Sequence, residues 1–238
     1  MLKKFNSLAT AVICSSLISS VVLADGEARD DDHKDNGANY EVTITNLTRA
    51  QTFTPILVAS HRKGINIFEL GSEASAELST IAESGNPAPL AAAIEADHRS
   101  VDVKNAAPLL ESTGGLLLPG HSVTVTVSAR RGAKEITVAS MLIPTNDSFI
   151  ALNGVKAPKG NKTTVYYSPG YDAGSEPNDE DCLNIPGPVC KGDGPSPEAG
   201  GEGYVHISSG IHGIKDLHPN VYDWRNPTAK IVIKRVHR

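Results

Sequence analysis

The sequence predicts a mostly β domain, and three observations carry that prediction. Apolar and polar residues alternate through several short runs. Turn-forming residues such as Leu118-Pro-Gly-His121 and Arg131-Gly132 punctuate those runs. The helical period appears only in one stretch, residues 71–99.

Taken in order, the first run is 40–47, where Tyr40, Val42 and Ile44 alternate with polar neighbours as in a half-buried strand. A second strand is expected at 54–60, with Pro55 confining its start to an edge. Between Gly71 and Arg99, Ala74, Leu78 and Ile81 fall at helical spacing and Gly85 supplies a stop. Pro89 then begins a second short helix containing Leu90 and Ile94. Strand signals resume at 122–129, where Val123, Val125 and Val127 alternate strictly, and recur at 135–142, 163–167, 204–208 and 229–236. The helices therefore read as an insertion on a β domain. Trp224, just before the last strand, reads as a core anchor, since large aromatics chiefly contribute buried area.

The N-terminus reads as a secretory signal peptide, residues 1–24. Lys3 and Lys4 precede an apolar stretch over 8–23, and Val22-Leu23-Ala24 offers a cleavage site before Asp25. Ser15, Ser16, Ser19 and Ser20 interrupt that stretch, which argues against a membrane anchor. Ile13 argues against lipid attachment at Cys14. Residues 25–39, with Asp30, Asp31, Asp32 and Asp35, have no apolar period and are expected to be a disordered acidic leader. The domain is expected to fill 40–238. The 27 acidic residues outnumber the 22 Lys and Arg. That balance argues against a nucleic-acid partner, which demands a basic footprint.

Residues 168–203 form a long loop rich in Pro, Gly and acids, with Lys191 its only base. Loops of this length inside a domain are usually functional or disordered. Cys182 and Cys190 lie within it and, in an exported chain, are expected to form a disulfide. Their separation does not match zinc-knuckle spacing, the rival reading.

Six phrases occur together and in order: Ile44-Thr-Asn-Leu-Thr48, Pro55-Ile-Leu-Val-Ala-Ser-His61, Met141-Leu-Ile-Pro-Thr-Asn-Asp147, Tyr171-Asp-Ala-Gly-Ser-Glu176, Ile185-Pro-Gly-Pro188 and Gly210-Ile-His-Gly-Ile214. On these the chain resembles a stand-alone bacterial member of the spondin N-terminal domain family, over about 40–238. The resemblance implies a C2-like antiparallel β-sandwich with a calcium ion (Ca2+) held by loop carboxylates. Carried over position by position, the metal ligands fall on Asp147, Asp172 and Glu176. Tyr171 stands where the family has Trp, and Glu176 where it has Asp.

The local chemistry agrees with that transfer. Calcium takes about 6–8 oxygen ligands and accepts mixed carboxylates, carbonyls and waters. Gly174 lets the chain turn between Asp172 and Glu176, and no Lys or Arg lies between Ser168 and Asp181 to neutralise the acids. The 12-residue EF-hand pattern is absent. Without the resemblance, the same acids read as turn caps or solvated groups.

Other constellations are weaker. His206, His212 and His218 recur every six residues, but Gly210 and Gly213 break any regular strand that would align them for a transition metal. Gly120-His121-Ser122-Val123-Thr124 lacks the last glycine of a nucleophile elbow and leads into a strand. Asn46, Asn146 and Asn161 match the glycosylation pattern by chance. The expected function is a secreted or periplasmic, calcium-binding, non-enzymatic binding or adhesion module for an extracellular protein or surface ligand. The alternatives are calcium-dependent contact with a membrane surface and, from a third class, a metal-assisted hydrolase.

Overall fold

The structure, a computed structural model, describes residues 38–195 and 200–237. The expected signal peptide and the leader up to residue 37 lie outside the described residues. Residues 38 and 39 belong to the first strand and not to the leader.

The strands are β1 (Ala38–Asn46), β2 (Thr52–Phe53), β3 (Leu57–His61), β4 (Ser100–Asn105), β5 (Ser122–Ser128), β6 (Glu135–Ile143), β7 (Ser148–Lys156), β8 (Thr163–Ser168), β9 (Gly170–Asp172), β10 (His206–Ile207) and β11 (Ala229–His237). The helices are α1 (Ala76–Ser84), α2 (Ala88–Ala96) and the short α3 (Pro219–Tyr222), with a 3-10 helix at Ala107–Thr113. The strands form two antiparallel sheets, ordered β5-β1-β11-β8 and β10-β9-β7-β6-β3-β4. Facing each other, they bury Val42, Ile44, Val125 and Ile231 against Val58, Ile136, Val138 and Ile150, making a β-sandwich.

The second sheet is buried on its other face as well. Leu57, Ala59, Ala139, Phe149 and Ala151 meet Leu78, Ile81, Leu90 and Ile94 of the two helices. This explains the contrast in sequence pattern between the sheets. β1, with water on one face, alternates buried and half-buried residues along its whole length. Every residue of β3 and β6 is buried, and a strand covered on both faces loses its alternation. α1 begins with Ser75, whose Oγ accepts the N–H of Leu78 at 3.2 Å, and ends at Gly85 with φ 69°. A Cβ at Gly85 would stand 2.6 Å from Thr54 Cγ2, so glycine is required twice over.

The expected strand 54–60 is β3, which begins at Leu57, beyond Pro55, and β2 precedes it at Thr52–Phe53. Pro55 has no N–H for the ladder, and β2 and β3 pair separately with β6 on either side of it. The expected strand 204–208 is ordered as a ladder only at His206–Ile207. Trp224 is buried in the inter-sheet core, as expected. A Cβ on Gly170 would lie 3.0 Å from its Nε1.

Candidate metal centre

β6 and β7 are consecutive antiparallel strands, so the turn between them, residues 144–147, lies at one end of the sandwich. Asp147 closes that turn and is fully buried. β9 pairs with β7 and sets Asp172 opposite Ser148, one residue beyond Asp147. The chain then turns at Gly174, where φ is 65° and a Cβ would meet the Tyr204 carbonyl oxygen at 2.4 Å. This turn brings the backbone of Ser175 and Glu176 back over Asp147.

Asp147 Oδ2 accepts three hydrogen bonds: from the N–H of Ser175 at 2.8 Å, from the N–H of Glu176 at 3.0 Å and from Ser175 Oγ at 3.3 Å. Its Oδ1 is buried with no hydrogen-bond partner. Asp172 Oδ1 accepts the N–H of Gly174, and Oδ2 accepts Asn178 Nδ2, both at 2.9 Å. Asp172 and Glu176 are 0% and 1% exposed. The three residues named from sequence are thus all buried at this end of the sandwich, and the charges of Asp172 and Glu176 both act on Asp147.

The electrostatics follow from that burial. Loss of water, together with the negative charge of Asp172, pushes the Asp147 carboxyl up to about 8, against the pull of the Glu176 and Ser175 N–H groups and with a further push from Glu176. Burial raises Asp172 too, opposed by the Asn178 and Gly174 hydrogen bonds and by His206. A buried carboxylate oxygen without a partner is costly to leave bare. An oxygen-preferring divalent cation between the carboxylates would satisfy Asp147 Oδ1 and cancel the repulsion, so these residues fit such an ion.

Two further residues reach the centre that the sequence reading did not include. β10 pairs with β9 so that His206 stands directly opposite Asp172. His206 Nε2 lies 3.4 Å from Asp172 Oδ1 and 3.9 Å from Glu202 Oε2. One ligand atom from each of Asp172, Glu202 and His206 falls within 4.8 Å of the others. Asn178 Nδ2 ties Asp172 to Glu202, donating to Glu202 Oε1 at 3.1 Å. The three spaced histidines do not converge. His212 Nε2 pairs with Ser209 Oγ at 3.0 Å, and His218 precedes α3 on the surface. The sequence grouped His206 with two other histidines and not with these acids, since the pairing register that selects its neighbour has no local signature.

The long loop is pinned beside the centre. Glu180 is 2% exposed. Its carboxylate accepts the N–H groups of His212 at 2.6 Å and of Gly213 and Ile214 at 2.8 Å. Asn146, next to Asp147, donates to Asp179 Oδ1 at 2.9 Å and accepts the Glu180 N–H at 3.2 Å. Cys182 and Cys190 form the expected disulfide. Asn46 and Asn146 are buried and hydrogen-bonded through their side chains, so neither is available for glycosylation in the folded protein.

Fold and centre together define an antiparallel β-sandwich with an acidic loop site at one end. The Spondin_N family model matches residues 40–169, more than half of the chain, and the chain belongs to that family. Among curated proteins no match is found. The family is a non-catalytic, binding-type domain. Asp147 lies inside the matched segment, and Asp172, Glu176, Glu202 and His206 lie beyond it.

Proposed function

We propose that the protein is an exported, calcium-binding, non-enzymatic binding or adhesion module, with calcium held by Asp147, Asp172 and Glu176. The observation that carries this is the buried, unpartnered Oδ1 of Asp147, whose carboxyl feels the charges of two more buried acids, Asp172 and Glu176. Their all-oxygen donor set matches the preference of a hard cation. Bound there, the ion would fasten the β6–β7 turn to β9 and to the first turn of the long loop, leaving the outer loop surface to engage a partner. The disulfide supports a location outside the reducing cytoplasm. Saturating calcium is expected to raise the melting temperature, and Asp172→Ala to abolish that rise. A wild-type melting temperature indifferent to calcium refutes the calcium role.

A second reading of the metal rests on His206, because an imidazole nitrogen beside two carboxylates also suits zinc or manganese. The two readings part on one variant. His206→Ala leaves calcium binding intact if oxygen ligands alone hold the ion, and weakens zinc binding at least about tenfold if the imidazole is a ligand.

A further inference from the structure

The opposite end of the sandwich is basic, although acids outnumber bases in the chain as a whole. Glu135 and Lys156 are paired at the far ends of β6 and β7, roughly 25 Å of strand away from Asp147. A pocket of about 630 Å³ opens there. Its cationic lining is Lys63, Lys134 and Lys159 from three loops, with Lys156 and Arg235 from the ends of β7 and β11. Among the described residues, none of these five cations forms an ion pair with a carboxylate. The one acid in the lining, Glu135, is 8% exposed and already engaged: its Oε2 accepts the Gly64 N–H at 3.0 Å and lies 3.9 Å from His61 Nδ1.

Two details mark this as more than a solvated lysine face. Arg235 Nε is buried and has no hydrogen-bond partner, although a guanidinium N–H is a strong donor. Burial raises the phenol of Tyr40, the Arg235 charge opposes that rise, and the hydroxyl is fixed by donating to the Ala133 carbonyl at 3.1 Å. The floor between the cations is apolar, made by Tyr40, Ala133, Ala157 and Pro158. The pocket thus offers several cations, one unused buried donor and an apolar rest, within the volume range of small-ligand sites.

We propose that this pocket binds a small organic molecule carrying a phosphate or sulfate ester. The ester oxygens accept from Arg235 and the lysine ammonium groups, and the organic part rests on the apolar floor. Guanidinium and ammonium donors are the usual partners of such oxyanions. A concave pocket favours a small ester over a flat anionic bilayer, and its distance from Asp172 makes binding independent of calcium.

The test is calorimetric titration of the full chain at low salt with glucose 6-phosphate, glucose 6-sulfate, inorganic phosphate and glucose, beside vesicles containing phosphatidylglycerol. Saturable binding of at least one ester, absent for glucose and weakening as salt rises, is expected. The double variant Lys156→Ala/Lys159→Ala should weaken it at least about tenfold without moving the melting temperature, since both side chains are exposed. Arg235→Gln should weaken it similarly, and Asp172→Asn should leave it unchanged. If Arg235→Gln fails to fold, the lysine pair alone decides. No binding of either ester, equal binding by the lysine double variant, or binding to the vesicles alone overturns the proposal.

Discussion

Asp147 accepts the backbone N–H of Glu176 at 3.0 Å across 29 residues of chain, fastening the β6–β7 turn to the start of the long loop. This bond uses one oxygen of the carboxylate and leaves the other buried without a partner. The loop is therefore held by a group that is itself under electrostatic load.

The first prediction concerns that load. Asp147→Asn keeps a carbonyl oxygen for the Ser175 and Glu176 N–H groups and removes one buried negative charge. Without metal, the variant should be at least as stable as the parent near pH 8, gaining about 2–4 °C in melting temperature for each 1 kcal/mol of repulsion relieved. Calcium should no longer stabilise it. Calorimetric melts of both proteins, with chelator and with calcium, check both halves.

A pH dependence follows from the same carboxyls. Asp147 is raised to about 8, and Asp172 is raised as well. In the metal-free folded state they keep protons that the unfolded chain releases near pH 4. The stability this supplies is fully present below about pH 4 and is lost as pH climbs towards 8. Asp97, Asp181 and Asp223 are shifted down, so their contributions are already complete above about pH 5. Metal-free protein should lose melting temperature between about pH 5 and 8, Asp147→Asn should lose less, and saturating calcium should suppress the loss. Identical metal-free profiles for parent and variant would contradict the raised values.

How legible this centre was depended on the kind of information each residue needed. Asp147, Asp172 and Glu176 sit in short contiguous motifs, so they were nameable one by one. His206 and Glu202 join them through the β9–β10 pairing register and an asparagine bridge, neither of which leaves a local mark in sequence. The fold divides in the same way. β1 and β5 face water on one side and show their alternation; α1 carries a glycine stop, α2 an early proline, and both an apolar spacing. β7 was not anticipated, because its buried run Ser148-Phe-Ile-Ala-Leu152 has no polar face to alternate with. β9 has only three residues, too few for any period. β4 is an edge strand whose Asp102 caps a neighbour by accepting the Ser128 N–H at 2.8 Å, and its charges mask Val101 and Val103.

Glu180 should matter more to stability than its place in an acidic loop suggests. Glu180→Ala leaves the N–H groups of His212, Gly213 and Ile214 without their acceptor. The expected loss is about 3 kcal/mol or more, with amide exchange at 212–214 becoming fast. Unchanged protection of those amides would show that the carboxylate is not what holds them.

Opening the disulfide should act locally. The bridge spans 8 positions, for which loop-closure entropy gives about 2–3 kcal/mol. Cys182→Ser/Cys190→Ser should lower the melting temperature accordingly while Asp147 and Asp172 keep their contacts, because the loop is also pinned at Glu180. Calcium affinity in the double variant should fall less than about threefold.

The central claim is that the buried carboxylates at the end of the sandwich hold a calcium ion. Isothermal titration of calcium into the chelator-treated full chain at pH 7 tests it most directly. The account predicts saturable binding of one ion per chain with protons released, because Asp147 must give up its proton to become a ligand. A folded protein that takes up no calcium in this titration would contradict it.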